Sequence, residues 1–306
     1  MILLYIFYIL ISLVLLWKGS DWLVERAVRI ACWMGVSQLV IGLTIVAFGT
    51  SAPEFVVTIG AAFNGQSDIS ISNVIGSNIY NLGFILGSVA MIQAVQANRK
   101  LVYRDGLILV AISLILVWIF HDLRLTRLEG GLLLTGLIAY NIFLIRQKEP
   151  VDMENCPTDS IRKDWLFLLL GLILVIGGGN LLRLGAVGLA RHLGVSDWVI
   201  GVTLIAGGTS APEFATSLMA GFRGHHGISA GNLVGSCIFN VLGVLGIAGI
   251  LHPMHIASDA TIHTLLMTGI VILSLIFFRT GWKMSRLEGA VMIMVSFVLW
   301  FVILSR

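Results

Sequence analysis

Two copies of one six-residue stretch carry the side chains of this sequence that are best suited to chemistry. Residues 49–54 read Gly-Thr-Ser-Ala-Pro-Glu, and residues 208–213 repeat the same six letters. Each copy lies in the middle of a long apolar run. A carboxylate at membrane depth costs at least ~2.5–3.5 kcal/mol on insertion scales, so Glu54 and Glu213 are predicted to be functional.

The proline of each copy predicts a local break in a membrane helix. Pro53 and Pro212 remove a backbone donor and disfavour helical geometry in the residue before them. Carbonyls freed at the break, together with the adjacent Thr and Ser hydroxyls, would then face the buried carboxylate. Oxygen ligands of this kind suit hard cations such as Ca²⁺ or Na⁺.

A second polar pattern follows each break and adds further oxygen ligands. Asn73, Ser77 and Asn81 are spaced by four residues and therefore share one helix face. The same spacing recurs in the second half at Asn232, Ser236 and Asn240. Polar residues in membrane helices often only bond neighbouring helices, but two matched sets beside two carboxylates favour a cation cage. Two negative charges match one Ca²⁺, and the same cage could instead hold several Na⁺.

Composition places these residues in a membrane protein. Of the 306 residues, 58% are hydrophobic and 11% are charged, whereas soluble domains carry about 25% charged residues. The formal net charge of +3 comes without a basic stripe, so no nucleic-acid partner is expected. The lipid bilayer is the expected surrounding, and no obligate protein partner is apparent from the sequence.

The apolar runs predict an all-α polytopic membrane protein with ten transmembrane helices. The predicted spans are 2–31, 36–63, 69–96, 101–120, 126–146, 165–191, 195–222, 228–251, 258–278 and 285–304. About 20 apolar residues cross a bilayer, so the first and sixth spans are long and are expected to tilt or to project beyond it.

The two halves of the chain are copies of each other. A shift of 159 residues, which carries Glu54 onto Glu213, also aligns Asn73 with Asn232 and further polar positions without a gap. We therefore predict a first five-helix repeat at 1–146, a cytoplasmic linker at 147–164 and a second repeat at 165–306. Because five is an odd number of spans, the second repeat is expected to be inverted, which is typical of secondary transporters.

The distribution of Lys and Arg predicts that both termini lie outside the cell. With this orientation, the basic residues inside are Arg26, Arg29, Arg99, Lys100, Arg104, Arg146, Lys148, Arg162, Lys163, Arg223, Arg279, Lys283 and Arg286, and those outside are Arg124, Arg127, Arg183, Arg191 and Arg306. The inside set is the larger, as the positive-inside rule requires.

The two motifs, each followed by an Asn-x-x-Gly-Ser signature, resemble those of the calcium/cation antiporter superfamily and, within it, of the prokaryotic sodium/calcium exchangers. The resemblance covers nearly the whole chain. It implies a secondary antiporter of a prokaryotic cell (inner) membrane, with Ca²⁺ and Na⁺ as transported ions and no cofactor. It also implies that the long first and sixth helices slide across the other eight to give alternating access.

The resemblance further implies a set of ion ligands. The carboxylates of Glu54 and Glu213 would bind Ca²⁺, and the remaining ligands would be the hydroxyls of Thr50, Ser51, Thr209, Ser210, Ser77 and Ser236 and the carbonyls of Ala47 and Ala206. The helix spacing described above adds the amides of Asn81 and Asn240 to this set. Some family members, including close archaeal relatives and the potassium-dependent exchangers, carry Asp at the position of Asn240. The Asn of this chain resembles the residue of potassium-independent exchangers. Proton-coupled relatives have Glu where this chain has Gly76 and Gly235, which favours sodium coupling.

Two functions other than sodium/calcium exchange are compatible with a polytopic membrane protein that carries buried carboxylates and serines. A proton-coupled cation antiporter would use the same scaffold, and flux that follows a pH gradient without sodium would identify it. An intramembrane hydrolase would need paired intramembrane Asp residues, or a His base near Ser51 or Ser210. The apolar cores contain neither, so no enzymatic activity is expected.

Overall fold

The computed structural model describes residues 2–147, 161–195 and 206–304, and most of this chain is helical. The helices are α1 (Ile2–Met34), α2 (Gln38–Thr50), α3 (Ala52–Phe63), α4 (Ser67–Ile92), α5 (Leu101–Asp122), α6 (Arg127–Arg146), α7 (Ile161–His192), α8 (Ala206–Thr209), α9 (Ala211–Phe222), α10 (His226–Leu251), α11 (Ser258–Arg279) and α12 (Arg286–Leu304). Most of the predicted linker and part of the seventh predicted span lie outside the described residues.

The described helices confirm a multi-pass membrane architecture. Seven of them are long and apolar enough to cross a bilayer, and α2 with α3 forms an eighth candidate if that bent pair is one span. The helices α1 and α7 have 33 and 32 residues, in agreement with the predicted long spans. Large apolar side chains such as Leu3, Phe7 and Trp17 are exposed on α1, where lipid would cover them, whereas α10 is buried along most of its length.

The long helices α1 and α7 pack against each other in antiparallel fashion through glycines. A Cβ atom added at Gly19 would lie 2.8 Å from the carbonyl oxygen of Gly171, and one added at Gly185 would lie 2.9 Å from the carbonyl oxygen of Tyr5. The contact that lies nearer the start of α1 therefore lies nearer the end of α7, so the two helices are antiparallel. The repeat shift makes these two helices equivalent, so equivalent helices run in opposite directions, as inverted repeats require.

The first motif interrupts its helix, as predicted from the sequence. The axes of α2 and α3 differ by 50°, and Ser51 between them has φ −80° and ψ 9°. Pro53 occupies the first turn of α3, where its missing N–H costs no helical hydrogen bond. A π-helical segment, Gly42–Val46, precedes the break, and wide turns of this kind are frequent at functional sites.

Two short antiparallel strand pairs depart from the all-α prediction. Strand β1 (Val95–Gln96) pairs with β4 (Lys283–Met284), and β2 (Arg124–Leu125) pairs with β3 (Met254–His255). The repeat shift carries one pair onto the other, and each pair joins the two halves of the chain. Because α5 separates β1 from β2 by one membrane-crossing helix, the pairs lie at opposite faces. The helices end before them, and the extended backbone finds its hydrogen-bond partners in the other repeat.

The long helices cover the second half of the core more fully than the first. Helix α1 packs along α9, and a Cβ atom added at Gly179 of α7 would lie 3.1 Å from the ring of Pro212, which is buried. The equivalent Pro53 of α3 is only half-buried, and Val56, one turn beyond Ala52, is exposed. The first turn of α9, which leads to the face where α9 ends (the α9 face), is therefore covered by α1 and α7, whereas the first turn of α3, which leads to the opposite face (the α3 face), is less covered.

Candidate functional site

The two motif carboxylates are held by serines of the opposite repeat. Ser210 Oγ donates a hydrogen bond of 2.7 Å to Glu54 Oε1, and Ser51 Oγ donates one of 2.8 Å to Glu213 Oε1. All four side chains are fully buried. The repeat shift exchanges the two bonds, so they form one crossed pair about the centre of the molecule. The break after α2 makes this possible, because it places Ser51 beside the first turn of α9.

Two asparagines brace the helices that carry the carboxylates. Asn73 Nδ2 donates to the backbone oxygen of Glu54 (3.3 Å) and to Thr58 Oγ1 (2.9 Å). Asn232 Nδ2 makes the equivalent bonds to the backbone oxygen of Glu213 (3.4 Å) and to Ser217 Oγ (2.9 Å). These bonds fix α4 against α3 and α10 against α9. Both asparagines were assigned to the polar helix faces by their spacing in the sequence.

Several buried oxygen atoms at the centre have no hydrogen-bond donor. They include the second carboxylate oxygens, Glu54 Oε2 and Glu213 Oε2, and the amide oxygens Asn81 Oδ1 and Asn240 Oδ1. The amide nitrogen of Asn81, which is a donor, is also unpartnered. Buried polar groups are nearly always partnered, and an uncompensated buried charge is costly. An enclosed group of unpartnered oxygen ligands with two formal negative charges is the donor set that a hard cation prefers.

The remaining hydroxyls that the sequence assigned to the site are also buried. Ser236 Oγ lies 3.5 Å from Glu213 Oε1, and Thr50 Oγ1 donates to Asn232 Oδ1 at 3.0 Å. Thr209 and Ser77 are 5% and 4% exposed. Ser77 is one turn beyond Asn73 on α4, at the position equivalent to Ser236. The structure thus brings Thr50, Ser51, Ser210 and Ser236 into direct contact with carboxylate or amide groups of the centre.

The carbonyl oxygen of Ala47, an expected ligand, is used within its own helix. It accepts hydrogen bonds from the Ser51 amide at 3.1 Å and from Thr50 Oγ1 at 3.4 Å. The helix therefore continues to use this oxygen up to the bend. Ala206 begins α8, and the residues before it lie outside the described range.

The structure adds one pair of residues that the sequence analysis had not placed in the site. Asn78 Nδ2 donates to the backbone oxygen of Cys237 at 3.2 Å, and Asn78 Oδ1 accepts from Asn240 Nδ2 at 3.1 Å. The repeat shift aligns Asn78 with Cys237, so α4 and α10 meet at equivalent positions. This alignment could have predicted the contact from the sequence. It was missed because Asn and Cys are different types of side chain.

The two glycines next to the polar faces differ in the space around them. A Cβ atom at Gly235 would lie 2.6 Å from the backbone of Leu43, whereas one at Gly76 would meet nothing within 4 Å. Gly235 therefore lets α10 approach α2 closely. A carboxylate side chain at this position would need the two helices to separate.

Comparison with known proteins agrees with this architecture over almost the whole chain. The family model described as "Sodium/calcium exchanger protein" matches residues 4–146 and 163–305. The chain belongs to the sodium/calcium exchanger protein family. This is a family of membrane transporters. The match confirms the resemblance to the calcium/cation antiporter superfamily that the two motifs indicated.

Similar proteins within the exchanger family come from bacteria and archaea. The chain is 35% identical to "Putative antiporter CaxA" of Alkalimonas amylolytica, with 94% of each chain covered. It is 34% identical to "Sodium/calcium exchanger MaX1" of Methanosarcina acetivorans, again with 94% of each covered. A solved structure of the sodium-calcium exchanger NCX_Mj, soaked with zero Na⁺ and Ca²⁺, superposes with a TM-score of 0.87 at 31% identity, covering 97% of this chain and 98% of that one.

Proposed function

We propose that this protein is a secondary active antiporter that exchanges Na⁺ for Ca²⁺ by alternating access, without a requirement for K⁺. The observation that carries the proposal is the crossed pair of bonds from Ser210 to Glu54 and from Ser51 to Glu213. Each half of the chain thereby contributes one carboxylate and one hydroxyl to a single buried centre. The names of the exchanger relatives support the same ions.

The proposed ligand set draws on both repeats, 1–146 and 165–306, which form ten transmembrane helices in inverted order. Its members are Glu54, Glu213, Thr50, Ser51, Thr209, Ser210, Ser77, Ser236, Asn81, Asn240 and the carbonyls of Ala47 and Ala206. The linker 147–164 is proposed to be cytoplasmic, with both termini outside the inner membrane of a prokaryotic cell. The antiparallel packing of α1 and α7 supports the inverted order.

Coupling follows from a site that the two ions share. Ca²⁺ and a full complement of Na⁺ would both need Glu54 and Glu213, so they compete for the same oxygens. An empty centre leaves buried carboxylates uncompensated, which opposes movement of the centre between the two faces of the membrane. A loaded centre removes that penalty and lets α1 and α7 move.

Sodium coupling is proposed over proton coupling because Gly76 and Gly235 add no carboxylate to the centre. Gly235 in particular lies against the α2 backbone, where a larger side chain does not fit. Potassium independence is proposed because Asn240 offers an amide oxygen and no charge.

Uptake of ⁴⁵Ca²⁺ into proteoliposomes tests the proposal. We expect uptake when the vesicles are loaded with Na⁺ and diluted into Na⁺-free buffer, with or without K⁺. A pH gradient alone is expected to drive none. Uptake that follows the pH gradient without Na⁺ would identify the proton-coupled alternative, and a strict need for K⁺ would contradict potassium independence.

A further inference from the structure

An ion pair links the long helix α1 to the helical core at one face of the molecule. Arg223 directly follows α9 and donates to Asp21 of α1. The side chain of Asp21 is 18% exposed and that of Arg223 is 37% exposed, so the pair lies near the boundary of the core. Lys18 Nζ is 3.8 Å from the other oxygen of Asp21, but it belongs to α1 itself. Of these two ion pairs of Asp21, the one with Arg223 therefore joins α1 to the core.

A second group of charges ties α1 to α7 at the same face. Arg26 Nη1 and Arg29 Nε lie 2.8 and 2.9 Å from Asp164 Oδ1, and the carboxylate is 8% exposed. Near the other end of the pair, Tyr5 packs over Gly185 and Gly188. Helices α1 and α7 are thus joined at both ends, and a force that acts on α1 also acts on α7.

The repeat symmetry predicts where an equivalent link to the core would lie at the opposite face. The shift of 159 residues carries Asp21 onto Asn180 of α7 and carries Asn64, at the end of α3, onto Arg223. Neither asparagine is charged. Asn180 is exposed, and Asn64 Nδ2 donates to Gly60 of its own helix at 2.9 Å. The two faces are therefore equivalent in backbone and different in charge.

We propose that Asp21 and Arg223 form an electrostatic latch that favours the state in which the α9 face is closed. The inference depends on the proposed movement of α1 and α7 against the core. In the present structure, α1 packs along α9 and the pair is formed. Opening that face moves Asp21 away from Arg223, and no matching pair forms at the α3 face to compensate.

The latch sets different apparent ion affinities at the two faces. The apparent dissociation constant at a face is the intrinsic one divided by the fraction of molecules open there. Partly exposed ion pairs contribute enough to change such a population by about two- to fivefold. Loss of the latch therefore lowers the half-saturating Ca²⁺ concentration at the α9 face by about two- to fivefold and leaves that at the α3 face nearly unchanged.

Exchange in oriented vesicles, with Ca²⁺ presented to one face at a time, measures this difference. We expect R223Q and D21N to lower the half-saturating concentration at the α9 face, and the charge-swapped D21R–R223D protein to restore it. K18Q is the matched control, because its ion pair lies within α1. The double variant N64R–N180D places an ion pair at the α3 face. Like R223Q, it should lower the half-saturating Ca²⁺ concentration at the α9 face.

The outcomes separate the latch from the proposed function. Absence of Ca²⁺ exchange in the unchanged protein would contradict the function itself. The latch would be overturned if the unchanged protein exchanges Ca²⁺ normally and R223Q has the same half-saturating Ca²⁺ concentration at the α9 face. The latch is also overturned if K18Q lowers the half-saturating Ca²⁺ concentration at the α9 face as much as D21N does. It is likewise overturned if the charge-swapped protein does not restore that concentration.

Discussion

Replacing Glu54 by Gln tests whether the buried carboxylates bind the transported ion. Gln keeps the shape of the side chain and an oxygen that can accept from Ser210 Oγ, which now donates at 2.7 Å, so the fold is expected to persist. The change removes one of the two formal negative charges. Unit charges ~4 Å apart attract by about 4 kcal/mol at an effective dielectric constant of 20, and a divalent ion doubles this to roughly 8 kcal/mol.

Desolvation of the carboxylate and the remaining amide dipole offset part of that attraction. If half of it is lost in E54Q, about 4 kcal/mol, Ca²⁺ binding weakens by roughly a thousandfold. Calorimetric titration of the purified protein with Ca²⁺ measures the change. E25Q is the control, because Glu25 is 36% exposed on α1 and pairs with Arg26. An E54Q protein that binds Ca²⁺ within tenfold of the unchanged protein would remove this carboxylate from the ligand set.

Three further predictions concern packing, selectivity and competition. G235A should lower the thermal unfolding midpoint and G76A should not, because a Cβ atom at Gly235 meets the backbone of Leu43 at 2.6 Å and one at Gly76 meets nothing; equal midpoints would contradict the close approach of α10 to α2. N240D adds a negative charge next to Asn78. The concentrations of Na⁺ and K⁺ that inhibit Ca²⁺ flux should then change, while the unfolding midpoint changes little. Unchanged inhibition by both ions would place residue 240 outside the ion site. Raising Na⁺ on one side should increase the half-saturating Ca²⁺ concentration there with a steep dependence, and independent binding of the two ions would refute the shared site.

The break and its carboxylates could be predicted from the sequence because the signals are local. A proline that starts a new helix and a glutamate within an apolar run are both visible within six residues. Duplication of the motif then showed that neither copy was accidental. The length of α1 and α7 was predicted for a similar reason, since hydropathy alone decides it.

The crossed contacts could not be predicted, because they depend on how the two repeats meet. Periodicity indicates which residues share a helix face but not which distant face they contact, so the bond from Ser51 to Glu213 became visible only in three dimensions. The π-helical segments and the two-residue strands were not predicted from the sequence for another reason. They are too short to leave a periodic pattern, and the backbone adopts them in response to neighbouring helices.

The Asn78–Cys237 contact shows a third limit. The two residues are equivalent under the repeat shift, but a comparison of side-chain types gives no reason to connect an amide with a thiol. The contact uses the backbone oxygen of Cys237, to which the Asn78 side chain donates. Residue identity carries little information about such a bond, because any residue at 237 other than one that changes the helix would present the same oxygen.

The crossed hydrogen bonds also have a consequence for how the protein is made. Glu54 and its donor Ser210 are 156 residues apart in the chain, and Ser51 and Glu213 are 162 apart. A chain that is synthesised from its N-terminus inserts the first carboxylate into the bilayer long before its partner leaves the ribosome. Until then Glu54 must be accommodated by water, by a proton or by the insertion machinery, and the first half on its own is expected to be a substrate for quality control.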